Sequence, residues 1–472
     1  MKKNIHFVGI KGVGMTPLAI IAKEAGMNIT GCDVDREFIT DEALKKADIK
    51  VFPGFFADHI TTSTNLAITT GAHGGFDNPE VLRAKSLNIS ILTQGEAVGE
   101  FMKGGILSRN FEGISVAGTH GKTTTTAMIA TVLNKCRLDP TYIIGTSMIP
   151  SLGLPGHLGK GKFFVAEADE YATEPNYDKT SKFLWQNPKI GIITNIEYDH
   201  PDVYPSERDM VNEFIKFAHK IDRKGALVIF GESDQTREII ASAPSTKVIT
   251  YGFSSKNDFS VQRISFNESE TFFWVYYGET LLGEFSIGIP GEHNCLNALA
   301  TIIVCLELGL SIDKIKHGLA SYSGSKRRFE YVGKLNSGAL LYDDYAHHPT
   351  EIRKTLETFR KKYPNSRIIC IFQPHTYSRT KSLFEHFIAA FYDSDELIMM
   401  DVYPSEREEK DESVSSEKLV TEISKIHKSV KLLPNVENVV KYLVQKAYGP
   451  DTIILTMGAG DVYKVKNFLE VE

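Results

Sequence analysis

Short apolar runs alternate along the chain with longer stretches in which apolar residues recur every three or four positions. The first run covers residues 5–8, and the stretch after it places Leu18, Ala19, Ile21 and Ala22 on one helical face. Similar pairs of short run and helical pattern follow to the end of the chain. This rhythm is typical of parallel sheets covered by helices, so it predicts an α/β protein.

The apolar runs fall into three blocks, and 472 residues are too many for one compact core. Gly104 and Gly105 break the first block after a helical pattern that ends near Phe101. The sequence SGS at residues 323–325 closes the second block, and a third contains the runs 339–342, 368–372, 397–400 and 453–456. We therefore predict domains at residues 1–106, 107–326 and 327–472.

Composition narrows the functional class. The net charge of −6 is spread along the chain without a basic block, which argues against nucleic acid as a partner. Five scattered cysteines without a CxxC pair argue against a disulfide framework and against a zinc site. We find neither a signal-peptide pattern nor an apolar stretch long enough for a membrane. A cytoplasmic protein without a membrane partner is expected, either a monomer or a homodimer.

A glycine turn follows the first predicted strand. Gly9, Gly12 and Gly14 stand between this strand and a helix, although their spacing is not that of the dinucleotide fingerprint. Asp33 ends the next strand, near the position where a carboxylate would contact a ribose hydroxyl. The helix N-terminus would favour a diphosphate. The turn therefore predicts a nucleotide-diphosphate site, and the alternative is a tight turn without a ligand.

A second glycine loop is more specific. The sequence GTHGKTT at residues 118–124 follows a predicted strand at 113–117 and precedes a helical pattern. Its glycines would let backbone N–H groups approach phosphate oxygens, Lys122 supplies a positive charge, and the Thr123 hydroxyl suits Mg²⁺. Val116 occupies the place of the first glycine in the general pattern, so the loop is a shortened variant. A turn without a ligand is the alternative.

Acidic clusters end two further predicted strands. Glu167 and Glu170 follow the run at 162–166, and an acidic segment that contains His200 follows the run at 190–194. Residues beyond the carboxyl ends of parallel strands face one crevice, which the phosphate loop would share. Carboxylates suit Mg²⁺, whereas histidine is a less usual ligand for it. The clusters predict a magnesium and ATP site.

At this point the residues resemble the Mur ligases, a family that builds the peptide of the peptidoglycan precursor. The resemblance covers nearly the whole chain through eight motifs in order: GTHGKTT (118–124), EADE (167–170), NIEYDH (195–200), GEHNCLN (291–297), RRF (327–329), YDDYAHHP (342–349), FQPHTYSRT (372–380) and MGAGD (457–461). It implies a three-domain Mur ligase fold. The N-terminal domain would be Rossmann-like, the central domain a P-loop ATPase, and the C-terminal domain Rossmann-like.

The resemblance also implies roles for single residues. The expected catalytic residues are Lys122, Glu167, His200 and Arg328. The expected ATP-binding residues are Gly118, Thr119, His120, Gly121, Lys122, Thr123, Thr124, Asn294, Asn297, Arg328 and Asp344, with helix capping as the alternative for the two asparagines. Gly9, Gly12, Gly14 and Asp33 would bind the UDP-substrate. Tyr345, His348, His375 and Arg379 would bind the amino acid, and Thr123, Glu167 and His200 would hold Mg²⁺.

The implied activity is an ATP-dependent amide ligation through an acyl phosphate. The last three motifs look like the branch that joins L-alanine to UDP-N-acetylmuramate. Residues 171–183 instead resemble a recycling ligase that attaches a tripeptide, so glycine, L-serine and the tripeptide stay open as added groups. A P-loop kinase and a non-catalytic nucleotide sensor are alternatives of other classes. The base for the attacking amine stays open among His200, His348 and water.

Overall fold

The computed structural model describes residues 3–242, 245–267, 270–404, 408–446 and 448–470. Three large sheets follow one another along these residues, each with helices packed against it, so the predicted α/β class is confirmed. The predicted domain limits fall between secondary-structure elements and remain predictions. Among the described residues, no helix is both long and apolar enough to cross a membrane.

The first sheet is parallel, with strand order β3-β2-β1-β4-β5. Its strands are β1 (Asn4–Val8), β2 (Asn28–Asp33), β3 (Val51–Pro53), β4 (Leu66–Thr69) and β5 (Ser90–Thr93). Its helices are α1 (Thr16–Glu24), α2 (Asp41–Lys46), α3 (Pro79–Ser86) and α4 (Gln94–Lys103), with short 3₁₀ turns at Ala57–His59 and Gly75–Asp77. The strand order reverses beside β1, so the glycine turn after β1 lies where such sheets bind ligands.

Helix α4 ends where the glycines predict. A capping box between Thr93 and Glu96 begins it, and Gly104 ends it in a left-handed conformation with φ of 81°.

The second sheet has ten strands, in the order β17-β16-β15-β14-β13-β12-β6-β9-β7-β8. Its strands are β6 (Glu112–Ala117), β7 (Thr141–Ile143), β8 (Gly156–His157), β9 (Phe163–Glu167), β12 (Ile190–Ile193), β13 (Ala226–Phe230), β14 (Lys247–Gly252), β15 (Phe259–Phe266), β16 (Thr271–Tyr277) and β17 (Thr280–Ile287). A separate hairpin pairs β10 (Ala172–Glu174) with β11 (Asp178–Ser181), and a 3₁₀ turn covers Lys182–Trp185. The helices are α5 (Lys122–Lys135), α6 (Glu207–Lys220), α7 (Asp234–Ala241), α8 (Glu292–Glu307) and α9 (Ile312–Ala320).

Both ends of this sheet depart from the predicted parallel arrangement: the short edge strand β8 pairs antiparallel with β7, and the larger departure is at the other end. Strands β15, β16 and β17 pair antiparallel. Buried and partly exposed positions alternate along β16, which is the pattern of an antiparallel strand with one solvated face. The connections between these strands are also too short for a parallel crossover.

The third sheet has the order β18-β19-β23-β20-β21-β22, with only β18 antiparallel among its paired strands. Its strands are β18 (Glu330–Lys334), β19 (Leu340–Asp344), β20 (Arg367–Phe372), β21 (Glu396–Met399), β22 (Val430–Leu432) and β23 (Thr452–Met457). Its helices are α10 (Pro349–Lys362), α11 (Tyr377–Ser382), α12 (Phe384–Ile388), α13 (Ser416–Ile423) and α14 (Val436–Lys446), followed by a 3₁₀ segment at Asp461–Phe468.

The central core fixes the phosphate loop. Helix α5 begins directly after the loop and packs against α8, and the central apolar cluster contains Met128, Val132, Leu299 and Ile303. Burying each large aliphatic side chain stabilises the fold by roughly 1.5–3 kcal/mol. The loop therefore rests on a rigid base.

Candidate functional site

The phosphate loop joins the end of β6 to the start of α5. Gly118 has φ of 131° and Gly121 has φ of 82°, a region that favours glycine. A Cβ atom on Gly118 would lie 2.1 Å from Thr194 Oγ1, and one on Gly121 would lie 2.4 Å from Asn297 Oδ1. Both positions therefore require glycine for conformation and for space.

Lys122 is folded back over this loop. Its ammonium donates to the carbonyl oxygens of Gly118 at 2.5 Å and Thr119 at 3.2 Å, and lies 2.8 Å from a carboxylate oxygen of Glu170. Burial alone would lower the pKa of Lys122, but the charges of Glu170 and Asp169 raise it above its ordinary value. Lys122 is thus a positive charge held at the mouth of the loop.

The segment after β12 anchors the loop from the other side. Asn195 Oδ1 accepts the backbone N–H of His120 at 3.0 Å, and Asn195 Nδ2 donates to the His120 carbonyl at 3.0 Å. The Thr119 hydroxyl donates to the carbonyl of Glu197. Asn195 and Glu197 stand in a quoted motif but were not predicted as site residues. They place the loop, and only the tertiary structure reveals that contact.

Glu167 lies at the end of β9, beside the first turn of α5. Its Oε1 atom accepts the backbone N–H of Gly145 at 2.5 Å. Burial raises the pKa of Glu167, whereas that N–H, the charges of Lys122 and Arg328, and the Thr123 hydroxyl lower it. Burial thus favours the neutral form of this carboxyl group, whereas the neighbouring hydrogen bonds and positive charges favour the ionised form. A bound cation would favour the ionised form further.

His200 is the second predicted metal ligand, and it has φ of 58°. Its Nε2 atom lies 3.6 Å from Glu170 Oε1 and 3.7 Å from Asp199 Oδ2. Burial would lower the pKa of His200, but the negative charges of Asp199 and Glu170 raise it. Glu170 therefore joins His200 to Lys122, a connecting role that the sequence did not indicate.

Asp199 also forms an ion pair with the C-terminal domain. Arg379 Nε and Nη2 donate to its two carboxylate oxygens at 2.8 and 3.1 Å, and both side chains are about 95% buried. The guanidinium holds the pKa of Asp199 well below its usual range despite burial, which acts in the opposite direction. Arg379 was predicted to bind the carboxylate of an amino acid. In the structure, its Nε and Nη2 atoms are hydrogen-bonded to Asp199, and only the Nη1 atom lies beside His375 in the second cleft.

A second cross-domain network surrounds His120 of the loop. Its Nδ1 atom lies 3.2 Å from Glu351 Oε1 on α10, and its Nε2 atom lies 3.5 Å from Glu197. Burial would lower the pKa of His120, but Glu351 and Glu197 raise it to about 9. Arg328 approaches Glu351 at 3.7 Å. Glu351 follows His348 by three residues in a capping box, and that spacing was the only signal in the sequence that could have found it.

A cleft of about 320 Å³ opens between the central and C-terminal domains. Seven of the predicted ATP-binding residues line it: His120, Gly121, Thr124, Asn294, Asn297, Arg328 and Asp344. The capping alternative for the asparagines is wrong, because Gly291 precedes α8 without a side-chain cap. Asn294 donates instead to the Pro290 carbonyl, and Asn297 donates to Asn294. Burial raises the pKa of Asp344 to about 6, although Arg328 lowers it.

A second cleft of about 320 Å³ lies among all three domains. Its lining includes these predicted residues: Gly9, Gly12, Asp33, His200, Tyr345, His375 and Arg379. Asp33 accepts the backbone N–H groups of Lys11 and Val34 at 2.8 and 2.9 Å, and burial raises its pKa. The N-terminal turn and the proposed amino-acid pocket therefore face one space.

Of the residues predicted to bind the UDP-substrate and the amino acid, Gly14 and His348 do not line the second cleft. Gly14 lies against Gln94, whose side-chain amide is close to it. The His348 ring lies beside that of His120, tilted by 50° with ring centroids 4.8 Å apart, whereas the neighbouring His347 lines the cleft. One step along the chain reverses the direction of a side chain in extended backbone, and the sequence alone did not decide which histidine faces inward.

The three domains and the lysine-bearing glycine loop define an α/β protein of the P-loop nucleotide-binding class. Models of the Mur ligase family, catalytic domain (residues 4–105), the Mur ligase middle domain (116–305) and the Mur ligase, glutamate ligase domain (327–460) match the chain. The chain belongs to the Mur ligase family.

Full-length relatives bear more specific names. A UDP-N-acetylmuramate--L-alanine ligase from Desulfitobacterium hafniense is 40% identical over 98% of this chain and 99% of its own length. One from Clostridium kluyveri is 41% identical over 98% and 97%. The crystal structure of a UDP-N-acetylmuramate-alanine ligase from Thermotoga maritima matches with a TM-score of 0.82 and 28% identity over 98% of both chains.

Proposed function

We propose that this protein joins L-alanine to the lactyl carboxylate of UDP-N-acetylmuramate, with ATP as the energy source, in peptidoglycan precursor synthesis. The observation that carries the proposal is the agreement of two findings. Relatives about 40% identical over nearly their whole length bear the name of this ligase. In the structure, Glu170 links Lys122 of the phosphate loop to His200, which lines the second cleft. A ligase of this kind requires a nucleotide site and an acceptor site that share one reacting centre.

The first cleft would hold ATP. The loop N–H groups and Lys122 would bind the terminal phosphates, as would Arg328 when the phosphate draws it from Glu351. Asp344 would accept a hydrogen bond from the ribose, since a carboxylate that already accepts two N–H groups still has free lone pairs. Asn294 and Asn297 would contact the nucleotide from α8.

The carboxylate at the end of β9 fits a magnesium ion. The Oε1 atom of Glu167 accepts the N–H of Gly145, and the carboxylate also interacts with the Thr123 hydroxyl. Thr123, Glu167 and His200 would hold the metal, which when bound supplies Lewis-acid stabilisation of phosphate charge. Two hard oxygen ligands and an imidazole suit Mg²⁺ less well than an all-oxygen set, and Glu170, whose Oε1 atom lies 3.6 Å from His200 Nε2, would supply a further oxygen.

The chemistry divides into two displacements. A carboxylate oxygen of UDP-N-acetylmuramate attacks the terminal phosphorus of ATP, the bond to ADP breaks, and an acyl phosphate forms. The neutral amine of L-alanine then attacks the acyl carbon, loses a proton, and phosphate leaves. Lys122 and Arg328 would stabilise charge on the transferred phosphoryl group, and positioning supplies much of the remaining rate enhancement.

The second cleft would seat both acceptor substrates. Gly9, Gly12 and Asp33 would contact the UDP moiety, and Tyr345, His375 and the Nη1 edge of Arg379 would contact the carboxylate of L-alanine. His348 faces His120 and not this cleft, which argues against it as the base. His200 would accept the proton only in its neutral form, and its raised pKa disfavours that form.

The decisive assay measures phosphate release from ATP with UDP-N-acetylmuramate. The five reactions contain no amino acid, L-alanine, glycine, L-serine or the murein tripeptide. We expect sustained phosphate release that is most rapid with L-alanine. Turnover with the tripeptide alone would overturn the proposal in favour of recycling. A stable phosphorylated product without any amine would instead indicate a kinase, and nucleotide binding without turnover would indicate a sensor.

A further inference from the structure

A buried polar cluster lies in the N-terminal domain, outside the two clefts. It consists of His6 on β1, Cys32 on β2, Glu80 on α3 and His59 in the 3₁₀ turn. The side chains of His6 and Glu80 are at most 1% exposed, Cys32 is fully buried, and His59 is 16% exposed at the edge. Apolar residues such as Val8 and Val81 surround the cluster.

One carboxylate oxygen is the centre of this cluster. Glu80 Oε2 lies 2.8 Å from His6 Nε2 and 2.8 Å from Cys32 Sγ. One ligand atom from each of the three residues lies within 4.8 Å of the others. Imidazole nitrogen, thiolate sulfur and carboxylate oxygen are the three ligand types that zinc takes in proteins.

The surroundings match those of a metal site. The second carboxylate oxygen of Glu80 accepts from His59 Nδ1 at 2.7 Å and from the Phe56 N–H at 3.0 Å. The other nitrogen of His6 lies 2.8 Å from the Thr30 hydroxyl. Metal ligands are commonly oriented by such outer hydrogen bonds. His6 and Glu80 are therefore each held by a hydrogen bond from the atom that points away from the place where His6 Nε2, Cys32 Sγ and Glu80 Oε2 meet.

We propose that His6 Nε2, Cys32 Sγ and one oxygen of Glu80 form a binding site for a divalent transition metal of the zinc class. Without a cation, the thiol proton lies toward Glu80. On binding, the Cys32 thiol releases its proton to solvent and the sulfur binds the metal as thiolate. The His6 proton moves to Nδ1, where the Thr30 hydroxyl accepts it. One proton leaves for each metal ion bound.

The cysteine spacing argued against a zinc site because the ligands do not form a local motif. They come from positions 6, 32 and 80, and the sheet brings them together: His6 is paired with Thr30, two positions from Cys32 on the same face. A second group, of His120, Glu197 and His348, is also arranged to hold an ion. That group has no sulfur and belongs to the nucleotide cleft, so a thiolate signal distinguishes the two.

The test uses the full chain stripped of metal with a chelator and titrated with Co²⁺ and Zn²⁺. We expect a thiolate-to-cobalt charge-transfer band that saturates at one equivalent and that Zn²⁺ abolishes. Cys32→Ser removes the band and raises the Kd for Zn²⁺ by at least about 100-fold, and His59→Ala raises it by about 10- to 100-fold. Cys370→Ser is the matched control, because Cys370 is equally buried in another domain; it keeps the band.

Absence of the band in the wild-type chain would overturn the proposal, as would a band that persists in Cys32→Ser. X-ray absorption of the zinc-loaded wild-type chain needs no variant and covers the case in which Cys32→Ser does not fold. One sulfur among nitrogen and oxygen neighbours supports the site. A shell without sulfur would refute it.

Discussion

Two glycine turns in this protein have the same backbone plan, but the charged side chain beside each turn has the opposite sign. Each connects the end of a parallel strand to a helix, β1 to α1 and β6 to α5. In the first turn the side chain that faces the loop is Asp33, and Lys11 points away to the carbonyl of Arg36. In the second turn Lys122 lies over the loop itself. The same backbone plan therefore carries a carboxylate in the first turn and an ammonium in the second, which matches the proposed binding of a ribose by the first and of phosphate by the second.

The two turns also differ in strain. In the first, Gly9 has a positive φ of 79°, whereas Gly12 and Gly14 do not. In the second, Gly118 and Gly121 both have a positive φ, and a Cβ atom on either would collide with a neighbouring side chain, as one on Gly9 would with Thr70. With two such glycines against one, the second turn is the more constrained.

The largest effect is expected from removing the lysine of the second turn. Lys122→Ala should lower kcat by about 1,000-fold or more, because a charge aimed at the phosphoryl group is lost. The substitution also leaves Glu170 buried without its ion pair. Steady-state kinetics measure the first effect and thermal unfolding the second. Lys135→Ala, an exposed lysine on the same helix, should change neither.

A matched double variant separates the two effects of Lys122. Lys122→Ala with Glu170→Gln should recover stability without recovering turnover. Turnover near the wild-type rate in Lys122→Ala would contradict the assigned role.

The second turn alone contains a titratable histidine, so its stability should depend on pH. The pKa of His120 is raised from 6.5 to about 9, hence protonation stabilises the fold fully below pH 6.5, and this contribution is lost as the pH rises through about 9. His120→Gln should lose at most about 3 kcal/mol at pH 6.5. The loss should shrink at pH 9, as measured by urea unfolding.

His219→Gln serves as the control for that measurement because His219 is exposed. It should cost little at either pH. A loss in His120→Gln that is equal at both pH values would mean that His120 is not charged in the folded protein.

Alanine substitutions test the difference in strain. Gly121→Ala should reduce the free energy of unfolding by about 1–3 kcal/mol, because its φ of 82° is unfavourable for alanine and the methyl group meets Asn297. Gly12→Ala should change it by less than about 0.5 kcal/mol, because the nearest atom would lie 3.5 Å away. Chemical unfolding of both variants gives the comparison. Equal losses would show that the two turns are equally constrained.

The smallest effect is expected at Asp33. Asp33→Asn should raise KM for UDP-N-acetylmuramate about tenfold, equivalent to about 1.4 kcal/mol, with kcat nearly unchanged, because the proposed hydrogen bond to the ribose would be weakened. Asp35→Asn, at an exposed neighbour, is the control. If Asp33→Asn changed KM for ATP and left KM for the UDP-substrate unchanged, the assignment of Asp33 to the UDP-substrate site would be wrong.

Much of the fold was predictable because its signals are local. The alternation of apolar runs and helical patterns indicated β6, β9, β12 and their partners, and Gly104 marked the end of α4. The antiparallel strands β15 to β17 were not distinguished from parallel ones, since pairing direction depends on partners distant in sequence. Lys122, Thr123 and Glu167 follow strand ends, and for that reason their common location was predictable.

By itself, the sequence determined the α/β class, the phosphate loop, the strand-end carboxylates and the resemblance to the Mur ligases, because each depends on residues that are neighbours in the chain. Only the tertiary structure decided that Arg379 is paired with Asp199, that His347 rather than His348 faces the second cleft, and that His6, Cys32 and Glu80 meet. Those contacts join residues far apart in sequence. Their geometry is set by how sheets and domains pack, and no local pattern records it.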